Sequence, residues 1–424
     1  MAVNERPTIV VVGLGYVGLP LAVALAKRFA TIGFDIDAGR IAELERGEDR
    51  TREVERVALE ASSLILSADP ERGRGADVYI VTVPTPVDQA KRPDLGALLS
   101  ASRTVGGLID PAKRPTVVFE STVYPGVTED QCGAEIERAA GLVRGRDFRL
   151  GYSPERINPG DREHTVERII KVIAGEDDEV VEQLAQIYGA VTTGGVFRAA
   201  SIKVAEGAKV IENAQRDINI AFMNEVAQIM GQAGVSVWDV LDAARTKWNF
   251  LAFEPGLVGG HCIGVDPYYL SHLSQMLGHP PHVILAGRGT NDAMGRWIAD
   301  RLHEARGGRT GSVLALGLTF KENVPDLRNS RAIDVVERLV ELGHQVDVAD
   351  PLADEAAVRA EYGLGLSKVD GRAYDLVIGL VGHEEYRALD SDRLAGLVAP
   401  GGLLADPKGI WRGLVIDGVE RWTL

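Results

Sequence analysis

One cysteine of the chain is enclosed by glycines, in the segment GGHCIGVDP at residues 259–267. The glycines on both sides of Cys262 leave no helix or strand to bury its thiol, so a small molecule could reach it. A thiolate that attacks a carbonyl carbon forms a tetrahedral adduct, which is the first step of covalent catalysis. Asp266, four residues later, could hold or deprotonate a water molecule. Cys132 lies within a predicted helix instead, and we expect it to be a small buried apolar residue.

A second candidate site is the glycine-rich turn at residues 10–18, VVVGLGYVG, which follows an apolar strand and precedes a helix. In the pattern GxGxxG, Gly13 permits a tight turn, Gly15 lets a pyrophosphate approach the backbone, and Gly18 permits close packing of helix and strand. Asp35 ends the next apolar strand, about 20 residues on, where a carboxylate binds the adenosine ribose. The same charge repels a 2′-phosphate, so the turn predicts NAD as the cofactor.

Three further residues belong to the predicted cofactor site, and a fourth, Asp37, is weighed against it. Tyr16 and Val17 lie inside the glycine turn and are expected to contact the cofactor with it. Asp37 competes with the acid two residues earlier for the ribose, but the start of a solvated helix is the better interpretation for it. Arg40 could neutralise a 2′-phosphate, which leaves NADP as the minor alternative.

These residues need a framework of strands and helices, and the apolar runs supply one. Continuous apolar strands separated by helices are typical of a parallel sheet covered on both faces. The strands of the first third are predicted at Thr8–Val12, Thr31–Asp35, Leu64–Leu66, Val78–Val83, Thr116–Phe119 and Phe148–Tyr152, with a helix at Leu19–Phe29. A proline-free stretch with apolar residues near a 3.6-residue period predicts one long helix over residues 199–233. A second alternation of strands and helices begins near residue 311, at Ser312–Leu318, Ala332–Leu342, Gln345–Ala349 and Leu376–Leu380.

The predicted fold is therefore α/β, with two doubly wound, Rossmann-like parallel-sheet domains joined by a long central helix and a helical segment. Residues 1–198 form the NAD-binding domain, residues 199–310 a helical segment for dimerisation that carries the cysteine loop, and residues 311–424 a second α/β domain. That second domain has no GxGxxG pattern, which suits a mononucleotide better than a second dinucleotide.

Composition limits the class of protein. The formal net charge of −15 argues against a nucleic-acid partner, which would require a basic face. Two isolated cysteines are too few for a disulfide framework or a CxxC metal site, so we expect no metal. The sequence has neither a secretory leader nor an apolar run of membrane-spanning length, which predicts a cytoplasmic protein without membrane contact and with a reduced thiol.

Several motifs together resemble the UDP-glucose/UDP-mannuronate dehydrogenase family of nucleotide-sugar 6-dehydrogenases. The resemblance runs along the whole chain in VVGLGYVGLP (11–20), VPTP (83–86), ESTV (120–123), YSPER (152–156), PGLVGGHCIGVDPYYL (255–270) and GLTFKEN (317–323). The segments TKWNF (246–250) and NVPDLRN (323–329) are most similar to the bacterial branch that acts on UDP-N-acetylglucosamine or UDP-N-acetylgalactosamine in Vi-antigen and O-antigen synthesis.

The resemblance implies a four-electron oxidation of a sugar CH2OH to a carboxylate. Cys262 would be the nucleophile, forming a thiohemiacetal and then a thioester. Lys209 and Asn213, one turn apart on the long helix, would stabilise the developing oxyanion. Asp266 and Thr122 would position water, and Glu155 would assist proton transfer or thioester hydrolysis.

The resemblance also implies binding residues. Thr85, Pro86 and Thr122 lie at strand ends, where the nicotinamide half of NAD should run, and Arg328 would reach the same cofactor. The family uses an arginine of a neighbouring subunit at the substrate, which implies a homodimer; Arg245 and Lys247 are both candidates, and the choice between them stays open. The residues expected to bind the UDP-sugar are Glu155, Arg156, Lys209, Asn213, Phe250, Phe253, Gly256, Gly259 and Lys321.

Three alternatives remain. The sugar could be UDP-glucose or UDP-N-acetylmannosamine. A single-step dehydrogenase of the 3-hydroxyacid or 6-phosphogluconate type would share the Rossmann domain but has no use for a cysteine in a glycine loop. A non-catalytic NAD-binding protein could keep the glycine turn without keeping Lys209, Asn213, Cys262 and Asp266 together, so the presence of all four favours an enzyme.

Overall fold

The computed structural model describes residues 7–157, 163–260 and 262–424. The chain forms two compact units, of which the first comprises Met1–Glu212 with Tyr268–His279 and the second comprises Asn213–Pro267 with Pro280–Leu424. The predicted fold class, two doubly wound α/β domains with a long central helix, is confirmed. No helix in the described parts of the chain has the length and hydropathy to cross a membrane.

The sheet of the first unit has eight strands in the order β3-β2-β1-β4-β5-β6-β7-β8. Their bounds are β1 Thr8–Val12, β2 Ala30–Phe34, β3 Ile65–Ser67, β4 Val78–Val81, β5 Thr116–Phe119, β6 Arg149–Tyr152, β7 Lys171–Gly175 and β8 Val196–Arg198. Neighbouring strands are parallel except β6 and β7, which are antiparallel. The sequence predicted the first six strands to within two residues at each end, but it did not predict β7 and β8.

Helices cover the sheet of the first unit. They are α1 Gly18–Ala26, α2 Ala38–Glu45, α3 Arg56–Glu60, α4 Gly96–Leu108, α5 Ala134–Ala140 and α6 Asp178–Gly189, with a 3-10 helix at Pro70–Gly73 and a π-helix at Thr128–Gly133 that leads into α5. Helix α1 is apolar on nearly every side because it packs between the sheet and the helices beside it. Cys132 lies in the π-helix with no exposed surface, which confirms that it is a buried apolar residue.

Four further helices belong to the middle of the chain: α7 Ile202–Gln232, α8 Val237–Ala244, α9 Asp266–Met276 and α10 His282–Ala305. Helix α7, with 31 residues, is the long helix predicted from the apolar spacing. Helix α8 begins where the Ser236 side chain accepts a hydrogen bond from a backbone N–H of its first turn. Helix α10, with 24 residues, was not predicted.

The sheet of the second unit has five parallel strands in the order β10-β9-β11-β12-β13. Its elements are β9 Ser312–Leu316, α11 Ala332–Glu341, β10 Gln345–Ala349, α12 Glu355–Tyr362, β11 Tyr374–Gly379, α13 Glu384–Arg387, α14 Ser391–Leu397, β12 Val398–Asp406 and β13 Glu420–Thr423. Its apolar core joins these strands to α8, α10 and α11, so the helices of the middle region complete the domain.

The first turn of each sheet has the same geometry. Gly13 follows β1 with a φ of +96° and Gly317 follows β9 with a φ of +99°, and the N–H of each donates to the last residue of the neighbouring strand. Asp35 and Asp350, after β2 and β10, each accept the next backbone N–H of that turn at 2.7 Å. Three more amides donate to Asp350, His383 lies 3.1 Å away, and the Asp350 side chain has no exposed surface.

Candidate functional site

The glycine turn of the first unit has the shape that a pyrophosphate requires. The Gly13 N–H donates to Phe34 O at 2.8 Å, which closes the turn against β2. A Cβ on Gly18 would lie 1.9 Å from the carbonyl oxygen of Gly13, so only glycine permits this contact of helix with turn. Gly15 is exposed, and a Cβ there would meet no atom within 4 Å. The space at Gly15 and the N-terminus of α1 therefore suit a dinucleotide phosphate.

The acid at the predicted ribose position is held by the turn itself. One oxygen of Asp35 accepts the Leu14 N–H at 2.7 Å, so the carboxylate stays at the end of β2 with further acceptor capacity. Arg40 is only 4% exposed, donates to Leu14 O at 3.0 Å and pairs with Asp49 at 2.7 Å. It stabilises the turn from behind, a placement that does not favour the expected contact with a 2′-phosphate. Asp37 caps α2, as the sequence indicated.

Three predicted cofactor residues meet at the carboxyl edge of the first sheet. The Thr85 hydroxyl donates to Thr122 O at 2.8 Å, which joins the loops after β4 and β5. The hydroxyl of Tyr269, a residue the sequence analysis missed, lies 2.9 Å from Thr85 O and 3.1 Å from Pro86 O. Side-chain hydrogen bonds therefore hold together the loops on the nicotinamide side of the predicted site.

Glu155 is buried in a polar cluster at the same edge. It is 7% exposed and follows β6, while Glu120 follows β5 and Lys171 begins the antiparallel strand β7. Because β7 runs antiparallel to β6, its first residue lies at the edge where β5 and β6 end. Burial raises the pKa of Glu155; the charge of Lys171 opposes this rise and that of Glu120 adds to it. Such a carboxyl can exchange a proton nearer to neutral pH than an exposed one.

Lys209 lies on the part of α7 that belongs to the first unit, and it is 6% exposed rather than solvated. Glu206, three residues earlier, has no exposed surface and accepts the N–H groups of Gly126 at 2.6 Å and Thr128 at 2.9 Å. These bonds fix the first turns of α7 to the loop after β5. Burial raises the pKa of Glu206 to about 7, although the amide hydrogen bonds oppose the rise.

The thiol lies in the second unit, at the start of α9. Cys262 is half-buried, and its carbonyl oxygen accepts the N–H groups of Val265 at 3.1 Å and Asp266 at 2.8 Å. Asp266 is 2% exposed, and its carboxylate accepts a hydrogen bond from the Asn213 side chain. The structure thus brings three of the predicted catalytic residues together on one loop and one helix. His261 lies outside the described residues.

The glycine pair before the thiol is fixed by the loop that follows β9. Gly260 donates its N–H to Asn329 O at 3.1 Å, and the Asn329 side chain donates to Gly260 O at 2.8 Å. A Cβ on Gly260, whose φ is +80°, would lie 2.8 Å from the ring of Phe320, and a Cβ on Gly259 would lie 2.4 Å from Asn329 O. The glycines therefore permit close packing, in addition to the access that the sequence suggested.

Three other expected substrate residues of the second unit lie shortly before the thiol in the chain, and a fourth follows β9. Phe250 and Phe253 are partly buried against the apolar core of this unit, so part of each ring has a structural role. Gly256 exchanges two hydrogen bonds with the Asn224 side chain, at 2.8 and 3.0 Å, which fixes the loop to α7. Lys321 is half-buried in the polar loop after β9.

The arginines of the predicted site are paired with acids. Arg156 lies 2.6 Å from Glu212, and Arg328 makes a two-point contact with Asp326 at 2.8 and 2.9 Å. Arg245 pairs with Asp242 of α8 at 3.2 Å and with Glu254 of the following loop. Each cation could exchange its partner for a ligand phosphate or carboxylate, and the roles assigned to them stay predictions.

Comparisons with known proteins match the whole architecture. The UDP-glucose/GDP-mannose dehydrogenase family matches in its NAD binding domain at residues 7–192, its central domain at 203–293 and its UDP binding domain at 314–413. These regions follow the order of the three predicted domains, whose boundaries stay predictions.

Similar proteins cover nearly the full length. Protein CapL of Staphylococcus aureus is 50% identical over 98% of this chain and 99% of its own length. A UDP-N-acetyl-D-glucosamine 6-dehydrogenase of Pseudomonas aeruginosa is 48% identical over 94% of this chain and 96% of its own. Among solved structures, a UDP-D-ManNAc dehydrogenase of Pyrococcus horikoshii has a TM-score of 0.86 at 27% identity, covering 98% of both chains.

Proposed function

Because the chain belongs to the UDP-glucose/GDP-mannose dehydrogenase family, it is an NAD-dependent dehydrogenase of UDP-sugars, and we propose that it oxidises UDP-N-acetylglucosamine or its C4 epimer, UDP-N-acetylgalactosamine. The product would be the uronic acid, used in surface polysaccharide synthesis. The substrate proposal rests on the Pseudomonas relative, whose identity of 48% far exceeds the 27% of the UDP-D-ManNAc dehydrogenase. The reaction proposal rests on the half-buried thiol that shares a loop with a buried, hydrogen-bonded aspartate.

In this proposal Cys262 carries the sugar through two oxidations. NAD, which the glycine turn and Asp35 would hold, would supply the hydride acceptor for both. The C6 alcohol first loses a hydride and a proton to give an aldehyde. The sulfur of Cys262 then adds to the aldehyde carbon to form a thiohemiacetal, whose oxidation gives a thioester. Water cleaves the thioester into the carboxylate and the free thiol, so the enzyme returns to its starting state.

Two residues on α7 are assigned to the oxygen on C6. Lys209, which is largely buried, supplies a positive charge to the developing oxyanion. Asn213 supplies an amide hydrogen-bond donor to the same oxygen. The hydrogen bond from Asn213 to Asp266 supports this assignment, because it fixes the amide relative to the residue expected to hold water. Asp266 and Thr122 would position the water, and Glu155 would take up or return the proton.

The binding assignments follow the sequence prediction. Within the first unit the NAD contacts would come from Gly13, Gly15, Tyr16, Val17, Gly18, Asp35, Thr85, Pro86 and Thr122, with Arg328 from the second unit. The residues proposed for the UDP-sugar are Glu155, Arg156, Lys209, Asn213, Phe250, Phe253, Gly256, Gly259 and Lys321. The contacts that fix Gly256 and Gly259 support a preformed loop whose backbone groups hold the nucleotide.

We also propose that the enzyme is a homodimer in the cytoplasm, where the thiol stays reduced. Helix α7 exposes more than half of the side chains of Val204, Ile211, Phe222 and Ile229. Their intervals of seven, eleven and seven residues are close to whole numbers of helical turns, so the four form one apolar stripe. A second copy of α7 is a suitable partner for such a stripe. Lys247, exposed, and Arg245, paired with acids, remain the candidates that would reach the neighbouring site.

The decisive experiment compares four UDP-sugars by NADH release: UDP-N-acetylglucosamine, UDP-N-acetylgalactosamine, UDP-glucose and UDP-N-acetylmannosamine. A pocket built for an equatorial N-acetyl group leaves its polar partners unsatisfied with UDP-glucose, at about 1–3 kcal/mol each, so kcat/KM should fall roughly tenfold or more. At completion each sugar should yield two NADH. A preference for UDP-glucose would reject the sugar but keep the reaction, whereas one NADH per sugar would reject the two-step chemistry.

A further inference from the structure

Three side chains form a closed polar cluster beside Glu155. The Lys171 Nζ lies 2.8 Å from one oxygen of Glu120, and the Tyr188 hydroxyl donates to the other oxygen. The Lys171 ammonium also lies 4.9 Å from the centroid of the Tyr188 ring. None of the three is more than 1% exposed. Each comes from a different element, since Glu120 follows β5, Lys171 begins β7 and Tyr188 lies in α6.

Stability alone does not account for such a cluster. Burying two opposite charges costs desolvation energy that their attraction often fails to recover, and apolar residues of similar volume commonly stabilise a fold as well or better. The position of the cluster offers another explanation. Glu155, after β6, lies between the strands that carry the ion pair, and the charges of Glu120 and Lys171 act on it more strongly than that of any other ionisable group, with Lys209 of α7 next.

We propose that Glu120, Lys171 and Tyr188 are positioning residues that hold Glu155 in the protonation state it needs for catalysis. Lys171 and Lys209 favour the carboxylate of Glu155, whereas burial and Glu120 favour the neutral acid. The tyrosine keeps the Glu120 carboxylate turned towards the lysine. The inference rests on the proposed function in one respect, the proton transfer assigned to Glu155.

The substitution Glu120→Gln tests it, because the amide keeps the shape and an acceptor for Tyr188 while it removes one negative charge. Lys171 then acts on Glu155 without opposition from residue 120, so the pKa of Glu155 should fall by about one unit or more. In the double variant Glu120→Gln with Lys171→Met both charges are absent, and the pKa should return towards that of the wild-type protein. The double variant also avoids an uncompensated buried ion if a single variant folds poorly.

A first readout is independent of turnover. The pKa of Glu155 is raised on folding, so the stability of the protein relative to Glu155→Gln is fully present at low pH and is lost as pH rises through the folded pKa. Urea denaturation of Glu155 and Glu155→Gln proteins, in the wild-type and Glu120→Gln backgrounds, locates this loss. It should occur about one pH unit lower in the Glu120→Gln background, and an unmoved window would overturn the inference.

The second readout is the pH profile of kcat. Its acidic limb should move in the same direction in Glu120→Gln and disappear in Glu155→Gln. Asp217→Asn is the matched control, since it breaks a buried ion pair with Arg288 in the second unit and should leave the limb in place. A shifted stability window with an unmoved kcat profile would contradict the proton transfer assigned to Glu155, and not the effect of Glu120 on it.

Discussion

Glu206 should make the stability of the protein fall as pH rises towards neutrality. Its carboxyl has no exposed surface, and burial raises its pKa from 4.5 to about 7. The folded protein therefore holds this proton more tightly than the unfolded chain does. The stability due to Glu206 is fully present below about pH 4.5 and is lost as pH rises through about 7. At about 1.4 kcal/mol per pH unit, the whole change amounts to about 3 kcal/mol.

The substitution Glu206→Gln should remove this dependence. Glutamine resembles the protonated acid, because it is neutral and retains an oxygen that can accept the Gly126 or Thr128 N–H. Near pH 4 the two proteins should have similar free energies of unfolding. Near pH 8 the glutamine variant should be more stable than the wild-type protein by up to about 3 kcal/mol. Urea denaturation of both proteins in parallel, without NAD, measures this difference at each pH.

The opposite result has a clear physical meaning. Two backbone N–H groups donate to Glu206, and hydrogen bonds of this kind favour the ionised form. If they outweigh burial, the wild-type protein will be the more stable of the two at pH 8, and their difference will grow with pH. That outcome would refute the reasoning that desolvation dominates at this carboxyl. These bonds join α7 to the loop after β5. The position of Lys209, on the same helix, would then depend on the ionised Glu206 carboxylate.

Three further substitutions test the site. Cys262→Ser should abolish formation of the carboxylate while NAD binding stays within about twofold, because a serine hydroxyl is barely ionised at neutral pH; normal turnover would make the thiol structural. Asp35→Ala should weaken NAD use and raise the NADP/NAD ratio of kcat/KM, and an unchanged ratio would remove Asp35 from the ribose. Gly260→Ala places a methyl group 2.8 Å from the Phe320 ring in a left-handed conformation that costs about 1–2 kcal/mol, so kcat should fall about tenfold. Gly231→Ala, with open space around its Cβ, is the matched control, and equal activities would show that the thiol loop tolerates displacement.

The parts of the fold that the sequence predicted are those with local signals. The glycine turn, the strands on either side of it and Asp35 all lie within about 30 residues, the span of one βαβ unit. The apolar spacing of α7 is equally local. The family motifs then supplied Cys262, Asn213 and Asp266, which the structure joins on one loop and one helix.

The parts that escaped prediction depend on pairing between distant segments. Strand β7 has five residues, and nothing in its sequence states that it runs antiparallel to β6. Without that direction, Lys171 could not be placed beside Glu120 and Glu155. A lysine at the head of a short apolar strand was the available signal, because a charge there requires a buried partner. The four-residue interval between Lys209 and Asn213 predicted that both lie on one side of α7. It did not predict that Lys209 is buried, because burial depends on the elements that cover it.

The two matching turns of the sheets have a consequence for timing. In the second domain the acid equivalent to Asp35 is Asp350, whose oxygens are already occupied by four amides and by His383. A ribose would find no acceptor there. Of the two similar turns, only the one in the first domain therefore suits a dinucleotide. An enzyme with one dinucleotide site and two oxidations must release NADH and bind a second NAD while the half-oxidised sugar stays bound. In the proposed mechanism the bond to Cys262 would keep the reactive aldehyde from escaping during that exchange, and the time for which NADH stays bound would set a lower limit on the duration of the cycle.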